Sequence, residues 1–522
     1  MSSAGSSAAV PGLRRTMVTI CAMTATIMQA LDTTIANVAL PYMQGSLSAS
    51  QDQVNWVLTS YIVAAAIMTA PVGFIAGRFG RKRIFIICAA GFTAASVMCG
   101  LAQDITQMVL FRLLQGVFGA ALVPLSQTVM LDIYALHERA KAMSIWGMGV
   151  MLGPIMGPSL GAWLTETYSW HWVFFVNLPF GIVTVAGLML FMDETELNSG
   201  AKFDWFGFGA LAVGIGSMQL ALDRGEQLDW FESKEIITEA IVAVVGFYYF
   251  FAHSFTTPRP FIQFAIFKDK NFIGGAIFMC VMGLVLYSTM SLSSPYLQNV
   301  IGYPILTAGL LLATRGSGTF VAMMLVGRIM RFIEARTLIM SGMTLLTVTM
   351  YFTTRWTDQT GVPEFIIVSV AQGFGLGLVF VPLSTVAFLT LPGHLRTDGT
   401  AMLTLLRNVA SSVGISIVIA KLSSNTTMAH AVLVEHVTPF NNALQMPNVA
   451  SVINLATDTG KAMMDGIVTL QASIIAFSLD YQLIMMVTLC AVPMALIIGS
   501  SKKALQAMAS KPGSDDHPAV ME

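Results

Sequence analysis

Fourteen apolar stretches, each about as long as a bilayer core is thick, recur along the chain and decide what it can fold into. They fall at 17–41, 54–76, 84–102, 106–128, 141–164, 172–191, 205–222, 236–253, 272–296, 305–326, 336–353, 365–388, 397–421 and 480–500. A helix needs about 20 apolar residues to cross hydrocarbon. Within lipid every backbone N–H and C=O must be bonded inside the protein, which leaves helices or a closed barrel. Barrel strands alternate polar and apolar over about ten residues, whereas these runs are continuous. The expected class is an all-α membrane protein. Composition agrees: of 522 residues 55% are hydrophobic and 11% charged, and mean hydropathy is +0.72. A soluble domain carries about 25% charged residues, so a soluble multidomain enzyme and a disordered chain are excluded. A net charge of −1 supplies no field for nucleic acid.

An even number of spans puts both termini on one side, and Lys and Arg decide which. With cytoplasmic termini, 19 of the 27 basic residues fall on inside segments and 4 (Arg224, Lys234, Arg355 and Lys461) outside. The remaining Arg112, Arg315, Arg407 and Lys421 lie in or at the edges of spans. The stretch after Arg14-Arg15 exceeds a signal-peptide core and is a retained span. The five cysteines form no CxxC pair, so neither a disulfide framework nor a zinc site is expected.

The chain repeats itself at an offset of 258 residues: Val123-Pro124-Leu125-Ser126 returns as Val381-Pro382-Leu383-Ser384, each preceded by Gln-Gly (Gln115-Gly116, Gln372-Gly373). The two copies face the same side, and parallel six-helix halves define one transporter architecture. The repeat omits 205–253. The expected organisation is a cytoplasmic tail (1–16), a six-helix bundle (17–191), two inserted helices (205–253), a second bundle (272–500) with an outer loop at 422–479, and a second cytoplasmic tail (501–522).

Charge buried in lipid is costly and marks function. The acid read as deep is Asp32; the deep bases are Arg112, Arg315 and Arg407. At about 1.5 Å per residue, Asp32 lies roughly 13 Å and Arg112 roughly 9 Å below the outer ends of their spans, so the two can meet. Such a pair can carry a proton between conformations, or it can be a static pair that fixes helix register.

Several segments are similar to a known family. Leu31 to Pro41 (LDTTIANVALP) resembles the first-span motif of the fourteen-span drug:proton antiporters of the major facilitator superfamily. Gly73 to Arg83 (GFIAGRFGRKR) resembles that superfamily's loop between spans two and three, and Arg112 to Gly116 its fourth-span motif. Gly149 to Gly161 (GVMLGPIMGPSLG) resembles the antiporter motif of span five, and Trp170 to Gly181 the entry to span six. Within the EmrB/QacA-like family the EmrB branch is closest, because about 58 residues (422–479) separate the last two spans. The resemblance implies export of amphipathic compounds in exchange for protons from a bacterial inner membrane, with no cofactor beyond the proton gradient. It also implies a periplasmic adaptor and an outer-membrane channel, met through loop 422–479. Carried over, Asp32 is the coupling acid and Arg112 its partner. Gly73, Arg78, Gly80 and Arg81 form a gating loop, and Gly153, Pro154, Gly157 and Gly161 the antiporter hinge. The family's loop acid is replaced by Gly77, so the basic loop residues stand equally as topology anchors.

Trp56, Tyr61, Trp146, Tyr287, Tyr296, Arg315 and Arg407 are candidate cavity residues, and the two arginines suit an anionic group or simple bonding to helix carbonyls. Gly157-Pro158-Ser159-Leu160-Gly161 matches a nucleophile elbow formally, but Ser159 falls in a membrane helix rather than a strand-to-helix turn. The glycine spacing is that of close helix packing. Residues 453–477 carry helical apolar spacing and form either a surface helix or an adaptor-docking face. An exporter of one metabolite (siderophore, lipid or organic acid) is the alternative on the same fold; an intramembrane enzyme or a sensor is the remote one.

Overall fold

The computed structural model describes residues 12–194, 203–257, 262–438 and 457–497, with positions 260, 446 and 453. Residues 1–11, all of 195–202, most of 439–456 and the whole expected C-terminal tail (501–522) lie outside the described residues, as does the end of the last expected span. Helices dominate, and no strand occurs among the described residues.

The first bundle holds α1 (Gly12–Ser46), α2 (Gln51–Thr69), α3 (Val72–Phe79), α4 (Arg81–Gly100), α5 (Ile105–Gly119), α6 (Leu122–Ile133), α7 (Arg139–Thr167), α8 (Trp172–Phe175) and α9 (Asn177–Phe191). The stretch expected as one span at 54–76 bends by 58° between α2 and α3. Pro71 stands at the break; it lacks an N–H and its ring opposes the carbonyl four residues back. The α5–α6 break at Ala120–Ala121 lies four residues before Pro124 for the same reason. In the repeat, Pro382 lies inside an unbroken helix, so equal sequence gives unequal backbone.

Two helices follow, α10 (Trp205–Arg224) and α11 (Lys234–Thr256), packed on each other. The second bundle holds α12 (Lys270–Pro295), α13 (Ile305–Ile329), α14 (Ala335–Thr353), α15 (Val362–Val386), α16 (Arg396–Val434) and α17 (Asp458–Met494). Eleven helices among the described residues are long and apolar enough to cross a membrane, or twelve with the bent pair. The expected fourteen is therefore not reached. Helices do form at the two other expected spans, but α7 is rich in Gly and Pro and α14 has 19 residues with six Ser or Thr.

Loop 422–479 differs most from expectation. At 39 and 37 residues, α16 and α17 are about 58 and 55 Å long, against a bilayer core of about 30 Å. Both therefore project well past the bilayer on the face opposite the basic one. No proline or paired glycine interrupts either extension. Thr457 caps α17, its side chain accepting from Gly460 N at 3.1 Å, and His430 joins Asp465 across the pair at 3.0 Å.

The halves meet along α7 and α13, and at α16 against α2, α3 and α6. The inserted α10 fills the remaining gap between α2 and α16. Asp223 accepts from Thr59 of α2, Gln219 donates to Ser412 of α16 at 2.9 Å, and Ser416 donates to Leu222 O at 2.6 Å.

Candidate functional site

Arg112 and Gln115 are three residues apart on α5 and so share a face. That face meets Asp32 of α1, which is fully buried. Arg112 Nη1 donates to Asp32 Oδ2 at 2.7 Å, and Gln115 Nε2 donates to Asp32 Oδ1 at 2.8 Å. Asn177, the first residue of α9, donates to the same Oδ1 at 3.2 Å and to Ser96 Oγ of α4 at 3.0 Å. Arg112 also donates from Nε to Val57 O of α2 at 3.0 Å and lies over the Tyr61 ring at 4.5 Å. Five helices thus converge on one carboxylate, and every group bonded to it is a donor. Sequence spacing pointed to Asp32 and Arg112. Gln115 was noted only as a repeat marker and Asn177 only as part of a motif; the three-residue step from Arg112 was the available signal for the first.

At the basic face, Asp132 of α6 gathers Arg81 and Arg396, the latter at 3.1 Å. Arg396 belongs to the second bundle, so the cluster ties the halves together. Thr128 and Thr400 bond across the same seam at 2.8 Å. A Cβ at Gly73 would overlap Asp398 of α16, so α3 and α16 approach as closely as glycine allows. Gly80 has φ of +97°, a turn that favours glycine. Beside it Glu194 accepts from the backbone N of Lys82 and Arg83 at 3.1 and 3.2 Å, capping α4. Arg78 lies over the Phe79 ring. Space is open at Gly77, and Asp132 supplies the negative charge that the loop itself lacks.

Asp132→Asn is expected to loosen this closure. Ala401, buried beside the seam, is the reporter: as Ala401→Cys it should label slowly from the basic face with an impermeant maleimide, and several-fold faster once Asp132 is neutralised. Equal labelling would show that the cluster does not hold the seam.

The hinge segment is clasped on two sides. Cβ atoms at Gly153 and Gly157 would overlap Ala30 and Thr34 of α1, and one at Gly161 would meet Ile35 O at 2.9 Å. Pro154 lies within the same helix. On the other side Ile155 fills the space over Gly316 of α13. Ser159 Oγ donates back to Met156 O at 3.1 Å, and no acid or histidine bonds it among the described residues.

Two adjoining clefts open between the halves. Tyr287 and Arg407 line one, Arg315 the other, and Met151 of α7 both. Trp146 stacks on Phe380 across the halves and donates to Ser126 Oγ at 2.9 Å. The other candidates lie elsewhere. Tyr61 belongs to the Arg112 cluster, and Trp56 lies 5.2 Å under Arg224 of α10. Tyr296 donates to Thr357 O at 2.7 Å in the core of the second bundle. Asp480, read from sequence as the edge of a span, is buried in α17 and accepts from Asn425 at 3.1 Å; the deep acids therefore exceed the one expected. No group of three or more potential metal-ligating residues occurs among the described residues.

Residues 22–415 match the family model described as Major Facilitator Superfamily. The chain is 35% identical over 428 residues to the fatty acid resistance protein FarB of Neisseria gonorrhoeae, covering 82% of this chain and 84% of that one. It is 34% identical over 438 residues to the multidrug export protein EmrB of Escherichia coli K12, with the same coverage. Among solved structures, the human organic anion transporter MFSD10 aligns with a TM-score of 0.55 at 12% identity, over 92% of this chain and 99% of that one. A bacterial homolog of the human lysosomal transporter Spinster, inward-facing and unoccupied, aligns at 0.54 and 17% identity, over 93% and 98%. At such identity these two show the fold alone. Sequence and fold agree, and the chain belongs to the Major Facilitator Superfamily: it is a multi-pass membrane transporter and not an enzyme.

Proposed function

We propose that the chain exports amphiphilic small molecules from the cytoplasm in exchange for protons, by alternately exposing a site between its halves. The carrying observation is the buried Asp32 carboxylate held by Arg112, Gln115 and Asn177. A proton reaching Asp32 removes the charge that Arg112 pairs with. That changes the balance of bonds joining α1, α5 and α9, so protonation and rearrangement are linked. The proton gradient is the driving force, and no cofactor is invoked. The names of FarB and EmrB, a fatty acid resistance protein and a multidrug export protein, support an exporter of this kind.

The charge bias supports cytoplasmic termini and a place in the bacterial cytoplasmic membrane. The projecting ends of α16 and α17 then face the periplasm. Met428, Val432, Met463 and Ile467 are exposed there, which supports a docking role toward a periplasmic adaptor and its outer-membrane channel.

Reconstituted proteoliposomes test the reading. A proton gradient should drive uptake of lipophilic compounds, and adding those compounds should elicit proton flux. A correctly inserted protein that gives neither, with any of a panel of lipophilic acids, neutral drugs and cations, would refute it.

A further inference from the structure

Arg315 is a buried permanent charge in the second bundle that lacks a counter-charge among the described residues. A guanidinium stays ionised in proteins, and this one is 6% exposed. It lies ten residues into α13, about 15 Å below the start of that helix. No carboxylate lies within 4 Å of it among the described residues. Its hydrogen bond is a long one, 3.3 Å from Nη2 to Ser293 Oγ, and its Nε has no acceptor. Ser293 Oγ in turn bonds Tyr481 Oη at 3.2 Å. Arg112, equally buried in the first bundle, has a carboxylate, an amide oxygen and a backbone carbonyl. A buried charge without a counter-charge is strongly destabilising, and in lipid it marks a ligand pathway.

The position of Arg315 indicates what supplies the missing charge. It lines the cleft between the halves, opposite Met151 and Ile155 of α7. The adjoining cleft holds Arg407, whose Nε also lacks an acceptor and whose Nη2 reaches Asn408 Oδ1 only at 3.4 Å. Neither cleft is lined by an acid. The remaining walls include Met282, Met290, Met323 and Phe380, and flexible, polarisable methionines adapt to different apolar shapes.

Resting on the export reading above, we infer that the cargo is an amphiphilic anion. Its acid group pairs with Arg315, while its apolar tail lies along the methionine-lined cleft. Two unpaired guanidiniums and no acid also exclude cationic cargo by repulsion. With one proton entering per anion leaving, each cycle moves two charges in the direction favoured by an inside-negative potential. A neutral cargo moves one.

The probes are decyl sulfonate, permanently charged, and decyl methyl sulfone, its neutral analogue of equal length, both below their micellar concentrations. The sulfonate should raise the melting temperature of the purified protein clearly more than the sulfone, and should be transported at least tenfold faster. That preference should vanish in Arg315→Gln and survive in Arg315→Lys, which keeps the charge. Stimulation of sulfonate transport by an imposed potential, negative on the side from which the cargo leaves, should exceed that of the sulfone. Equal stabilisation by the two probes, or a preference that survives Arg315→Gln, overturns the inference. The stabilisation experiment needs no turnover and uses the unmodified protein, so it decides the anion site even if Arg315→Gln does not fold. If the sulfonate binds preferentially and no compound is moved, the anion site stands and the exporter reading falls.

Discussion

Asp32→Asn is expected to reduce proton-coupled export to the level of protein-free vesicles while the protein still inserts. The substitution nearly preserves shape but leaves Arg112 buried without an anion. Breaking one partner of a buried pair costs about 3–5 kcal/mol, so a loss of melting temperature should accompany the loss of transport. Lost transport alone would not separate a proton carrier from a structural pair. The double variant Asp32→Asn/Arg112→Gln does separate them, because it removes both charges and with them most of the cost of the unpaired one. If the pair only fixes the register of α1 against α5, stability and export should recover together. If Asp32 carries the proton, stability should recover and export should not. Restored proton-coupled export in the double variant would remove Asp32 from the mechanism.

The membrane class, the parallel halves and the Asp32–Arg112 encounter were legible in the sequence because each depends on a short-range or averaged property. Span length, hydropathy and charge bias are sums over windows, and the depth of a residue follows from helix rise alone. Features set by how one helix meets another were not legible. Val57 O, Ser96 and Asn177 reach the Asp32 site from three helices; nothing local marks Val57 or Ser96, and the motif that holds Asn177 does not say what it bonds. Asp132 ties the two halves together because Arg396 of the other half arrives beside it. The extent of α16 and α17 was misread for a different reason. A hydropathy window ends where polar residues begin, whereas the helix continues through Ser423 to Thr427 because such residues are tolerated on an exposed helix. Asp480 was assigned to an edge by the same truncation. Trp56 and Tyr296 were grouped with the cavity on residue type alone, and each is engaged in packing elsewhere.

Gly153→Ala is the second variant with a large expected effect, and its comparison with Gly149→Ala carries the argument. Both positions lie on the face of α7 that meets α1, one turn apart. A Cβ at Gly149 meets Met23 Cε at 2.9 Å, the free end of a side chain with three rotatable bonds that can turn away. A Cβ at Gly153 overlaps the backbone carbonyl group of Ala30, which moves only if the helix moves. Retreat of α7 is opposed on its other side, where Ile155 already fills the space over Gly316. Such overpacking costs about 1–3 kcal/mol. The displaced helix carries Asp32 two residues from Ala30, so the strain falls on the proposed coupling site as well as on the α1–α7 contact. Gly153→Ala should therefore lower export about tenfold or more, since about 1.4 kcal/mol at the rearrangement step is a factor of ten, and Gly149→Ala should stay close to the unmodified protein. Ala30→Gly should not rescue Gly153→Ala fully, because it removes a Cβ and leaves the carbonyl in place. If the two alanine variants export equally, close approach of α7 to α1 is not what the glycine at 153 provides.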